Sequence, residues 1–162
     1  FQVGTFNIVN QIALKQENTY RYVYDHVSEF MSSTLKPLAS HHAAELAYIF
    51  HLSEGGLSPE SFTEQENQLS ADMIDYWVNF AKFGVPVPDG SSLHSWPSYK
   101  PDQQWTQHLR TPIETSETYR AEQIAFWEEL YPRLDFSFFQ SYFSTLILVL
   151  INFWINYLSI LY

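Results

Sequence analysis

The sequence has no cysteine, so it can form no disulfide, zinc-thiolate site or thiol nucleophile. Basic residues are also scarce. Eight Lys and Arg stand against 18 Asp and Glu, for a formal charge of −10. No basic cluster offers a footprint for a phosphate backbone, and nucleic acid is not an expected partner. Glycine occurs only five times, and none of the five opens a G-x-S-x-G turn. No Asn-x-Ser/Thr sequon is present, and the chain opens at Phe1 without an initiator Met or a basic-then-apolar leader. It reads as a fragment of a longer chain.

What is present suits a globular domain: 46% of residues are hydrophobic and 18% aromatic, enough to build a core. Residues 1–14, FQVGTFNIVNQIAL, carry apolar side chains at mostly helical spacing and predict a helix ending near KQEN. TYRYVYDH, Thr19 to His26, alternates Tyr20, Tyr22 and Tyr24 and predicts a strand with tyrosines along one face. AAELAYIF predicts a short helix with Glu45 in its first turn, where a carboxylate offsets the positive helix end.

TEQENQLSADMIDYWVNFAKFG predicts the longest helix of the globular part. Its expected inward face is Leu69, Met73, Ile74, Trp77, Phe80 and Ala81, with Gly84 as the stop. A Pro-rich stretch follows, then QHLRTPIE as a short edge strand ended by Pro112. SETYRAEQIAFWEELYPRL predicts a further helix that turns Tyr119, Ile124, Trp127 and Leu130 inward. One or two strands are too little sheet for a self-sufficient layered fold.

Residues 136–162 differ in kind, with no charge, proline or glycine over a span longer than the roughly 20 residues that cross a bilayer. At helical periodicity their Ser, Thr and Asn gather on one side. Three readings stand: a transmembrane helix with a polar stripe, a buried or interfacial helix, or a translated AT-rich non-coding stretch. The expected division is a globular part, 1–134, and an apolar tail, 135–162, through which a membrane is a possible partner.

Several of these blocks, in order, resemble the type B carboxylesterase and cholinesterase family. TYRYVYDH is similar to the aromatic strand before that family's histidine loop, and HAAELAYIF to its H-G-x-E-[LI]-x-[YF]-[VI]-F block. LSADMIDYWVNFAKFGVP, WPSY and YRAEQIAFWEELYPRL are similar to its later helices and the motif between them, so the resemblance runs from about residue 1 to 134. It implies an α/β fold, the C-terminal portion of an α/β-hydrolase, mostly helical as a fragment with one or two strands; the C-terminal apolar helix is not a family feature and stays a separate expectation. It also implies a carboxylic ester hydrolase acting on small-molecule esters without a cofactor; a membrane-associated, secretory-pathway or extracellular place is a separate expectation.

The resemblance distinguishes the adjacent histidines, His41 and His42. His42 stands at the position of the family's catalytic base, three residues before Glu45, and His41 is expected to be a solvated or backbone-bonded loop residue. In such a triad one imidazole nitrogen takes the serine proton while a carboxylate holds the other. A metal reading of His42 and Glu45, with His41 or His26 assisting, has no third ligand at a convincing spacing, and no metal site is assigned. His26 matches a structural family position, and His51, His94 and His108 are given no role.

No nucleophile accompanies His42. Hydrolases of this fold run serine, acid, histidine along the chain, whereas Ser58 and Ser92 both follow His42 and lie in loops. Asp25 and Glu29 precede it but do not match the family acid. Two departures stand out. Ala43 replaces the usual Gly after the histidine, tolerable unless that position needs a positive φ, and Ile124 replaces a cholinesterase cysteine. The chain is thus expected to be the histidine-bearing segment of a carboxylesterase, inactive alone. The alternatives are a non-catalytic cholinesterase-like adhesion or partner-binding protein, or an inactive fragment.

Overall fold

The computed structural model describes residues 2–30, 40–52 and 59–133. In chain order these form α1 (Gln2–Ala13), β1 (Tyr22–Tyr24), α2 (Glu45–Phe50), a 3-10 turn (Pro59–Ser61), α3 (Glu64–Phe83), β2 (Thr106–Leu109), β3 (Glu114–Ser116), α4 (Ala121–Leu130) and a closing 3-10 turn (Tyr131–Arg133). Contacts divide the chain into two units, residues 1–121 and 122–162. In the described part of the second unit lie α4 and the turn after it. There Phe126 and Trp127 meet edge to face and Arg133 pairs with Glu129 one turn back. Exposed i,i+4 pairs of that kind contribute little to stability.

The first unit is built on α3. Thr63 caps it reciprocally: its hydroxyl accepts from the Glu66 N–H at 3.1 Å, and Glu66 Oε2 accepts from the Thr63 N–H at 2.9 Å. At the other end Gly84 adopts φ 73° and donates to the Phe80 carbonyl, the left-handed stop that glycine takes without strain. The buried face is Glu66, Leu69, Ser70, Met73 and Tyr76. Phe80 and Ala81, expected inside, are exposed, although Phe80 still meets Tyr20 edge to face.

Among the described residues the sheet has three strands where one or two were expected, in the order β1-β2-β3. β2 lies in the centre and not at an edge: it pairs in parallel with β1 and antiparallel with β3, after a reversal through the cis Thr111-Pro112 peptide. Polar β3, Glu-Thr-Ser, carries little strand signal of its own and exists because β2 offers an open edge. Tyr20, Tyr22 and Tyr24 share a face as their alternation predicts. The first two meet Trp96 edge to face and the third packs on Tyr48.

That tyrosine face and α3 enclose the core of Ala44, Ala47, Tyr48, Phe62, Leu69, Met73, Tyr76, Trp96 and Leu109. Burying each large apolar side chain contributes about 1.5–3 kcal/mol. The last helix starts at Ala121 and not near Ser116, since Thr118 and Arg120 take φ 53° and 54° and cannot continue a right-handed helix. Ile124 is buried, whereas Trp127 is 46% exposed. The apolar stretch 136–162 falls outside the described residues. Among the described residues no helix is long and apolar enough to cross a membrane.

Candidate functional site

His42 lies in the turn that enters α2, exposed to solvent. The turn is closed by the Ala44 N–H donating to the His41 carbonyl at 3.3 Å and the Leu46 N–H donating to Ala43 at 3.0 Å. Ala43 adopts φ 67°. This is the left-handed region that the expected glycine enters freely and an alanine enters at a cost of about 1–2 kcal/mol. The condition under which Ala43 would matter is therefore met. The bend turns the chain directly after His42, so that Ala44 is buried while His42 stays at the surface.

His41 departs from expectation. Its Nδ1 and Nε2 are enclosed and have no hydrogen-bond partner among the described residues, so it is neither solvated nor backbone-bonded. Inequality between the two histidines is thus physical: His41 is half-buried with both ring nitrogens enclosed, and His42 is exposed.

The helix that carries this turn is anchored from below by a buried carboxylate. Glu66 Oε1 lies 3.1 Å from His26 Nε2 and accepts from the Tyr48 hydroxyl at 3.1 Å, while Oε2 closes the cap on Thr63. Burial pushes the Glu66 carboxyl up, but hydrogen bonds from Ser28, the Thr63 backbone, His26 and Tyr48 outweigh it and hold the group down at about 2. Tyr48 is raised above its ordinary value, by burial first and by the Glu66 charge second. Its ring stacks on Phe62 at 4.4 Å. Ser70 adds a second tie by donating to the Tyr48 carbonyl at 2.6 Å, and His51 Nε2, at the end of α2, lies 3.2 Å from the Ser70 hydroxyl.

Glu66 is the residue that sequence reasoning missed. The Thr63-x-x-Glu66 spacing of a capping box was the available signal, but it does not predict that the carboxylate is buried. Asp25, weighed as a possible partner for His42, is committed elsewhere: it contacts His108 Nδ1 at 2.8 Å and Arg110 at 3.3 Å. Glu45 begins α2, as expected. No three of His, Asp and Glu converge as a metal site among the described residues.

Two cavities open on the first unit. An aromatic cleft of about 230 Å³ is lined by Tyr20, Tyr22, Trp77, Phe80 and Trp96 among others. A polar one of about 400 Å³ lies between the start of α3 and the β2–β3 reversal. His42 lines neither.

Comparison with known proteins identifies the framework around His42. Residues 1–127 match the Carboxylesterase family, and the chain belongs to that family, whose fold is the α/β-hydrolase. It is 31% identical over 142 residues to acetylcholinesterase of Bungarus fasciatus, covering 82% of this chain and 23% of that protein. To human cocaine esterase it is 31% identical over 115 residues, covering 70% of this chain and 20% of the other. To human neuroligin-3 it is 34% identical over 134 residues, covering 72% and 15%. The chain therefore spans less than a quarter of the length of each of these relatives.

Proposed function

We propose that the chain is the histidine-bearing segment of a serine carboxylesterase, with His42 as the general base that takes the serine proton and then returns it to the leaving alcohol. The observation that carries this reading is the turn itself. In a chain of the Carboxylesterase family, an exposed histidine is followed by a residue held at φ 67°, where the family motif has glycine. His42 makes no hydrogen bond to another described residue, which leaves its imidazole open to a serine and an acid supplied from outside these 162 residues. The substrate class is a small carboxylic ester. A place at a membrane or in the secretory pathway belongs to the same reading and is supported by the similarity to acetylcholinesterase and neuroligin-3.

Transcript sequence upstream of Phe1 tests the reading. A G-x-S-x-G elbow followed by an acidic partner supports it, and an elbow without its serine overturns it. In the longer product, His42→Ala should lower kcat by at least about 10⁴-fold on a p-nitrophenyl ester. The 162-residue chain alone should show no hydrolysis that depends on His42.

The similarity to neuroligin-3 supports a second reading, a non-catalytic member of the family that binds a partner. The same transcript decides between the two, because a partner-binding relative needs the framework of Glu66, Tyr48 and His26 but not the elbow serine.

A further inference from the structure

A second serine, histidine and carboxylate converge on the sheet, away from the His42 turn. His108, buried on β2, has Nε2 2.7 Å from Ser116 Oγ on β3 and Nδ1 2.8 Å from Asp25 Oδ2 just past β1. Strand register produces this. His108 pairs with Glu114, so Ser116 is a diagonal neighbour on the same face; Val23 pairs with His108, and Asp25 follows two residues on, again on that face. The tyrosines of β1 occupy the opposite face, against Trp77, Trp96 and Tyr48.

The roles follow from the atoms. Asp25 is also held by Arg110 Nη1 at 3.3 Å, and a carboxylate facing Nδ1 requires the proton there. Nε2 then presents its lone pair, and the Ser116 hydroxyl donates to it. A donor hydroxyl, an imidazole and an orienting carboxylate in this order are the working parts of an activated nucleophile, recognised by geometry and not by position in the chain.

Two further observations set this cluster apart from a buried histidine that has merely found partners. The chain leaves Ser116 through Thr118 at φ 53° and Arg120 at φ 54°, left-handed conformations that are strained for residues with a Cβ and gather at functional sites. Tyr119 between them meets His108 edge to face at 5.3 Å and carries the guanidinium of Arg21 at 5.7 Å. Arg21 is 4% exposed, and its two terminal nitrogens are enclosed without a partner among the described residues. Arg21 thus sets a buried cation against the same Tyr119 ring that meets His108.

We propose that Ser116 is a nucleophilic serine activated by His108 and Asp25, a site independent of His42, and that it accepts activated acyl donors with a good leaving group. Ser116 Oγ bonds to the acyl carbon as its proton passes to His108 Nε2. The bond to the leaving group breaks, and that proton departs with it. Water then attacks the acyl-serine and gives a proton to Nε2, which returns it to Oγ as the carboxylic acid is released.

The test treats the full 162-residue chain with a fluorophosphonate, on which Oγ displaces fluoride, and maps the adduct by peptide mass spectrometry. Ser116 should label at least tenfold faster than any other serine, and His108→Gln or Asp25→Asn should slow that labelling at least tenfold. Unlabelled Ser116 in the unmutated chain overturns the proposal, as does an unchanged rate in a folded variant. If both variants unfold by near-ultraviolet circular dichroism, the ranking of serines in the unmutated chain decides.

Discussion

Glu66 Oε1 and His26 Nε2 lie 3.1 Å apart with both side chains buried, joining the end of the aromatic strand to the first turn of α3. The same oxygen accepts from Tyr48 on α2, so one carboxylate ties together three segments that are distant in sequence. Glu66→Ala leaves His26 and Tyr48 facing an empty site and opens the cap on Thr63. The expected loss is about 3–5 kcal/mol of unfolding free energy, against about 1–3 for Glu66→Gln, which keeps the shape. Urea titration measures both, and a loss below about 1 kcal/mol for the alanine variant would show that the node is dispensable.

The same carboxylate makes stability depend on acid. Its folded value is about 2 against an ordinary 4.5, so its contribution is present in full above the unfolded value and disappears as pH falls through the folded one. At roughly 1.4 kcal/mol per pH unit, about 3 kcal/mol is lost between pH 5 and 2. Stability measured across that window should fall less steeply in Glu66→Gln, and the gap between the two proteins should narrow toward pH 2. A gap that stays constant would refute the assignment.

What was legible in the sequence had a strong local cause. The long helix, its Gly84 stop and the tyrosine alternation follow from periodicity and turn chemistry within a few residues, and the structure has all three. What was not legible depends on partners far along the chain. Thr106-Gln107-His108-Leu109 is wholly buried, but it carries neither a polar-apolar alternation nor an apolar run, because Gln107 and His108 are satisfied by Thr115, Tyr76, Asp25 and Ser116. The sequence announces a strand here, in QHLRTPIE, but no local pattern announces that it is central and buried on both faces. Glu66 was hidden for the same reason, since its cap is local while His26 and Tyr48 are 40 and 18 residues away.

Ala43 gives a gain-of-stability test at the candidate site. At φ 67° the methyl group strains the turn after His42 by about 1–2 kcal/mol, while glycine would add about 0.4–1 kcal/mol of unfolded-state freedom. The balance predicts that Ala43→Gly stabilises the chain by up to about 1 kcal/mol, whereas Ala43→Val, with a branched Cβ in the same region, destabilises it. Midpoints of chemical denaturation rank the three proteins. A glycine variant less stable than the parent would mean that the turn does not hold this φ in solution.

The adjacent histidines supply the last test, because burial assigns them opposite sensitivities. His41 encloses two ring nitrogens that have no partner among the described residues, and leaving such groups unsatisfied costs about 1–3 kcal/mol each. An apolar side chain of similar size removes that cost, so His41→Leu should be neutral or stabilising. His42 is exposed, and His42→Leu should move stability by no more than about 0.5 kcal/mol. Under the proposed function, its effect should be confined to ester hydrolysis by a chain that also supplies the serine and the acid. Equal destabilisation by the two substitutions would mean that the pair share one environment, and the physical ground for choosing His42 as the base would be lost.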